Sequence, residues 1–310
     1  MGSDVHILVH GPPALTILAR DLVLALERRW SRFLPNSEVS LLNARAGRWT
    51  HVGEATLELV ARAIEGWQVT NGRYDPTVLG DVIRAGYDRS FEQIALLSPR
   101  AEGPRSGLVN GAGGLAVDRD QGAVLVPAGV GFDPGGIGKG LAADLVAARI
   151  SAEGAAGVLV NIGGDLRAVG VAAGGETWGV DLDPAAAGQP IAAVALDDGA
   201  VATSTVLRRR WLVGGENRHH LIDPATGRPV SGRAVSASVL AARGWQAEVL
   251  AKAALVAGIE DGVELIAGAG AEGVMVDDTG DLHPTAGFGR FLRARIAVGS
   301  APAQPEGGPS

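Results

Sequence analysis

Several short stretches of this 310-residue chain carry side chains suited to a charged ligand. In Phe132-Asp133-Pro134-Gly135-Gly136-Ile137-Gly138-Lys139-Gly140 a strand runs in and a helix runs out. Free amides at a helix N-terminus attract anions, and glycines let a phosphate reach the backbone. Lys139 adds a point charge. The stretch is not a Walker loop, because Gly140 stands where Ser or Thr would hold a metal. It does contain Gly138-x-Gly140-x-x-Ala143, a permitted dinucleotide-binding variant, with Asp165 further on; a plain strand-to-helix turn is the other reading. Val160-Asn161-Ile162-Gly163-Gly164-Asp165 ends a strand in paired glycines and a carboxylate, which suits a hairpin turn or a backbone approached by a ligand. His219-His220 precedes Asp223-Pro224-Ala225-Thr226-Gly227, strong turn chemistry. His220 suits a base or a hydrogen-bond donor. Neighbouring strand residues point to opposite faces, so the pair is not a zinc site. Glu248 and Lys252 share one helix face at i and i+4, an arrangement worth about 0.2–0.5 kcal/mol as an ion pair alone. Asn71-Gly72-Arg73-Tyr74-Asp75-Pro76-Thr77 reads as a helix-ending turn, and Ser37-Glu38-Val39-Ser40 as a capping box with a poor fourth member.

The elements that must carry these stretches follow from hydrophobic period. Val5–Val9 reads as a strand. Pro13–Phe33 and Thr56–Val69 read as amphipathic helices, and Asp81–Leu97 also reads as helical. Ser98–Asp120 is rich in Gly, Pro, Ser and Arg and reads as a loop with short strands. Short strands are expected at Val124–Val126, Gly157–Ile162, Thr177–Leu182, Ile191–Leu196, Ala234–Leu240 and Gly273–Val276. Helices are expected at Gly138–Ile150, Gln246–Ala257 and Val263–Ala269. Helices come first and a β-rich half follows, which predicts α+β rather than alternating βαβ units.

Composition narrows the function classes. Hydrophobic residues make up 46% and charged residues 20%, enough to bury a core. With no Cys there is no disulfide framework and no thiolate chemistry. A net charge of -7 disfavours nucleic acid and anionic membrane as partners. No apolar run is long enough for a transmembrane helix, and the N-terminus lacks an export or lipidation signal, so a cytoplasmic location is expected. The Pro/Gly-rich 299–310 tail is expected to be disordered.

Taken together and in order, the stretches resemble one family. Met1-Gly2-Ser3 is similar to its opening Met-Gly-Thr. Ser31-Arg32-Phe33 through Ser37-Glu38-Val39-Ser40 to Asn43 resembles its Ser-x-Tyr…Ser-Glu-x-Ser…Asn segment. Gly72-Arg73-Tyr74-Asp75-Pro76-Thr77-Val78 resembles Gly-x-Phe-Asp-Pro-Thr-Val. Asp133–Gly140, Asn161–Asp165, Ala202–Ser204, His220–Arg228 and Ala247–Ala253 follow in the family's order. The family is the ApbE-type FAD:protein FMN transferases, and the likeness covers roughly residues 1–290. It implies a T-fold-like α+β domain over 1–298, antiparallel sheets with flanking helices. It implies FAD as substrate, Mg2+ as cofactor, and transfer of FMN to a Thr or Ser hydroxyl of an acceptor protein with release of AMP. It implies flavin-nucleotide contacts from Met1, Phe33, Arg73, Tyr74 and Asp75, phosphate or ribose contacts from Asp133 and Lys139, and a ring site lined by Leu221 and Ile222. His220 would take the proton of the incoming hydroxyl. The family's metal helix reads Ala-Asp-x-Leu-Ala-Thr, and a glycine-loop carbonyl completes its Mg2+ site. Here those positions are Glu248, Lys252 and Gly136. A protonated Lys cannot ligate a cation. Either the metal shifts or the Lys252 ammonium replaces part of its charge. Ser204-Thr205 stands where the family has Ser-Gly. The rival readings are an FAD pyrophosphatase with water as acceptor, an inactive flavin-binding protein, and a Rossmann-type NAD enzyme, which the lack of regular βαβ units argues against.

Overall fold

The computed structural model describes residues 3–95, 111–185, 189–213 and 216–294. Met1, residues 96–110 and the 299–310 tail lie outside them, as does the end of the expected Asp81–Leu97 helix. The centre is a seven-stranded antiparallel sheet, ordered Val5–His10, Gly157–Ile162, Asp165–Gly170, Gly199–Thr205, Ala234–Ala241, Glu272–Asp277, Leu282–Pro284. An antiparallel sheet has no place for a Rossmann crossover, so the dinucleotide reading of Gly138-x-Gly140 is corrected.

Both faces of the sheet's central strands are buried. Ala237 and Val239 pack with Leu250 and Ala254 of one helix and Ile266 of the next, and Leu240 packs on the other side with Trp178, Val194 and Phe288. A second, three-stranded sheet of Trp178–Leu182, Ala192–Leu196 and Leu292–Ala294 supplies that other side. The helices are α1 (Pro13–Trp30), α2 (Glu38–Ala44), α3 (Glu54–Val69), α4 (Leu79–Arg84), α5 (Phe91–Ala95), α6 (Gly138–Ala152), α7 (Gly244–Ala257) and α8 (Ile259–Gly268). The α+β expectation is met.

Three local departures matter for the cleft. The first helix ends at Trp30, not Phe33: Ser31 turns extended, with ψ 115°, while its N–H still donates to Glu27 O. Arg32 and Phe33 thereby leave the helix axis. The Asp81–Leu97 helix is broken, because Gly86 takes φ +100° and closes α4 with Tyr87 N–H donating to Val82 O. A short helix, α2, stands where only a cap was read; Ser37 Oγ accepts from Ser40 N–H at 3.0 Å. At the end of α2, Asn43 pairs with the backbone of Phe132 in both directions, at 2.9 and 2.7 Å, and so holds the segment that enters the glycine-rich loop, which makes a single bridge from Gly131 to Val78 rather than the expected strand.

Helices α6 and α7 meet at their N-termini. Asp144 on α6 accepts from Gly244 N–H at 2.8 Å and Trp245 N–H at 3.0 Å, so a side chain from one helix caps the other. Its buried carboxylate also lies 3.4 Å from Arg167 Nε. Asp144→Ala leaves two buried amides unpaired, and is expected to cost about 2–6 kcal/mol, given ~1–3 kcal/mol for each orphaned group. Urea unfolding measures it; a loss below about 1 kcal/mol would show that water replaces the cap.

Candidate active site

Five separate stretches of chain converge on one cleft. It is lined by Trp30 to Phe33, Arg73 to Asp75 with Tyr87 beyond them, Asp133 to Gly136 with Lys139, Arg209 with His220 to Ile222, and Lys252. Of the residues the sequence singled out, Phe33, Arg73, Tyr74, Asp75, Asp133, Gly136, Lys139, His220, Leu221, Ile222 and Lys252 all reach this cleft. Glu248 lies just beneath it, fully buried.

Each wall has a local cause. Asp75 accepts from Thr77 N–H at 2.7 Å and Thr77 Oγ1 at 2.5 Å, a turn that the Asp-Pro-Thr order favours. Asp133 N–H donates to Pro76 O at 2.7 Å, which ties this turn to the glycine-rich loop. Asp133 Oδ1 then accepts from Gly135 N–H at 2.8 Å and starts the 3₁₀ turn of Pro134–Gly136. Opposite, Asp223 accepts from Ala225 N–H at 2.9 Å and Thr226 Oγ1 at 3.0 Å, and Gly227 turns with φ +64°. That hairpin presents His220, Leu221 and Ile222. His219 points away, toward Val230 O at 3.0 Å, as alternation requires. Gly163 and Gly164 form a two-residue hairpin, with φ +62° and +97°.

The cleft's chemistry is cationic with an aromatic edge. Arg32 stacks on Phe33 at 4.2 Å and Tyr87 at 4.8 Å, and its Nε lies 3.6 Å from Asp133. Lys139 contacts Asp165 and lies 3.3 Å from Glu248 Oε1. Burial lowers the Lys139 pKa to about 8, although Glu248 pulls upward. His220 is held well below the usual imidazole range by burial and by Arg209 and Lys252, so it is neutral near pH 7, and its Nδ1 is buried without a partner. The Tyr74 hydroxyl is also buried and unpartnered, and burial raises its pKa well above the ordinary value. Tyr74→Phe removes an unsatisfied hydroxyl, so the free protein is expected to melt no lower, while a ligand that bonds the hydroxyl loses affinity. Thermal melts beside a ligand titration check this; a drop of several degrees would mean the hydroxyl is already satisfied.

Arg32, Tyr87 and Arg209 are cleft residues to which sequence reasoning gave no role. The signal for Arg209 was present as Arg208-Arg209-Arg210, a basic run in an acidic chain. Its φ is +51°, and its Nη2 donates to Ser3 Oγ at 2.8 Å.

The three residues expected at a Mg2+ site are close together but do not fit that ion. Glu248 Oε2 accepts from Gly140 N–H at 2.8 Å, and Oε1 accepts from Lys252 Nζ at 3.0 Å, with Lys139 beside it. Burial alone would raise the Glu248 pKa; the two ammonium groups and the Gly140 amide outweigh it, so the carboxylate is charged. A Cβ added at Gly136 would lie 3.3 Å from Lys252 Cδ, so the Lys252 side chain runs from the loop to the carboxylate. Among the described residues no group of three or more His, Asp or Glu side chains could hold a metal.

Fold and cleft define an α+β protein whose cleft gathers aromatic and cationic groups suited to an anionic, ring-bearing ligand. The family model described as the ApbE family matches residues 1–275. A FAD:protein FMN transferase of Treponema pallidum is 30% identical over 249 residues, 74% of this chain and 68% of that relative. One from Rhodobacter capsulatus is 30% identical over 309 residues, 95% of this chain and 57% of the relative. The crystal structure of the ApbE protein of Thermotoga maritima superposes with a TM-score of 0.81 at 26% identity, covering 94% of this chain and 97% of that one. This chain belongs to the ApbE family.

Proposed function

We propose that this chain is an FAD:protein FMN transferase: it moves FMN from FAD to a Thr or Ser hydroxyl of an acceptor protein and releases AMP. The observation that carries the reading is His220, a neutral imidazole set among Arg209, Lys252 and Lys139 on the cleft wall. A diphosphate draws such cations, and a base must stay unprotonated beside them.

The acceptor oxygen attacks the phosphorus on the FMN side. A new P–O bond forms, the bond from that phosphorus to the bridging oxygen breaks, and the oxygen leaves on AMP. The hydroxyl proton passes to His220. Phosphoryl transfer depends on positioning and charge more than on covalent help. Lys139, Lys252 and Arg209 are the groups that neutralise the diphosphate. Phe33, Arg32 and Tyr87 supply flat surfaces for a ring, and Leu221 and Ile222 an apolar wall. No helix among the described residues is long and apolar enough to cross a membrane.

The test is incubation with FAD and a Thr-containing acceptor, read by in-gel flavin fluorescence and AMP release. Equal amounts of AMP and flavinylated acceptor are expected. AMP without labelled acceptor would replace the reading with a hydrolase, and neither product would reject it.

A further inference from the structure

At the family's cation site this chain departs from the family pattern, and the departure is built into the core. Glu248 is fully buried on α7, with both oxygens engaged. Lys252 follows one turn later. Its stem passes beside Gly136, the loop position whose carbonyl would complete a metal site, and its Nζ stops 3.0 Å from Glu248 Oε1. The side chain is 15% exposed, and that exposure opens on the cleft. An ammonium has three N–H donors and no acceptor. With one given to Glu248, two remain for oxygens in the cleft.

We propose that the Lys252 ammonium stands in for the divalent cation, so that this chain binds FAD and transfers FMN without Mg2+. This rests on the FMN-transferase reading. A dication placed between Gly136 and Glu248 would meet both the Lys252 stem and its charge. Like charges at such separations repel strongly in a partly buried site. The ammonium brings one charge where Mg2+ brings two, and Arg209 on the same cleft adds another. Phosphate accepts hydrogen bonds from both. Thus the shortfall in charge is met by side chains that the fold already holds, with Glu248 acting as the anchor that aims Lys252 rather than as a ligand.

The experiment is FAD titration of the unmodified protein, by flavin fluorescence, in EDTA and in excess Mg2+. Affinities within about twofold of each other are expected, and calorimetry should show no Mg2+ binding to the free protein. Lys252→Thr should bind FAD roughly 10- to 100-fold more weakly in EDTA, the scale of a lost charged hydrogen bond, and should regain affinity with Mg2+. Lys252→Met should lose the same affinity and regain none. FAD affinity in the unmodified protein that falls tenfold in EDTA would overturn the inference while leaving the transferase reading intact. Unchanged FAD binding in Lys252→Thr would also overturn it, reducing Lys252 to a helical ion pair. Failure to bind FAD in either buffer would overturn both.

Discussion

His220→Ala is expected to slow FMN transfer by roughly 10²–10⁴-fold, the usual contribution of a positioned base. FAD affinity and melting temperature should hardly change. The imidazole's Nδ1 has no partner in the free protein, so its removal breaks no hydrogen bond from that atom. What is lost is the neutral acceptor among cations. An ordinary His beside a diphosphate would tend to be protonated; burial here, with Arg209 and Lys252, holds His220 well below that range. Initial rates of acceptor labelling, with FAD binding measured on the same preparation, separate the roles. A variant that labels within threefold of the unmodified rate would reduce His220 to a wall residue.

Gly140→Ala is expected to cost a large amount of stability, about 3 kcal/mol or more, above the usual range for an overpacked core position. A Cβ at Gly140 would run into the Gly244 carbonyl and lie 2.8 Å from Trp245 N. The clash is reciprocal, since a Cβ at Gly244 would lie 2.5 Å from Gly140 O. These neighbours are backbone, so no rotamer change relieves them. Moving α7 away would also pull Glu248 from the Gly140 amide and Gly244 from Asp144. Hence FAD affinity should fall along with stability. Guanidinium unfolding measures the first; a loss under 1 kcal/mol would show that the two helices can separate cheaply.

Much of this was legible in the sequence, and the gaps have physical reasons. Helix α3 shows a clear apolar stripe, α6 and α7 are long apolar runs buried nearly all round, and the turns at Asp75, Asp133 and Asp223 follow from Asp and Pro chemistry that acts over two or three residues. The strand Asp165–Gly170 was missed because Asp165 and Arg167 break its apolar run. Both are buried, and their partners, Lys139 and Asp144, come from a helix distant enough in sequence that no local rule pairs them. Gly199–Thr205 was missed because it is covered on both faces and shows no alternation. Arg32 was read as part of a helix; only the turn at Ser31 shows that it belongs to the cleft. The Glu248–Lys252 spacing could be an ion pair or part of a metal site. Its surroundings, not its spacing, decide between them.

The five stretches that meet at the cleft lie as far apart as Trp30 and Lys252 in the chain. Loop-closure entropy must be met before any of these contacts is gained, so the cleft belongs to the late events of folding and this chain should fold slowly for its size. No partly folded form would bring Arg32, Tyr74, Lys139, His220 and Lys252 together. A ligand that needs all five therefore recognises only the finished molecule. By mass action, FAD at a hundred times its dissociation constant would add about 2.7 kcal/mol to the folded state. In a cell, the supply of flavin nucleotide would then help set how much of this protein survives as well as how fast it works.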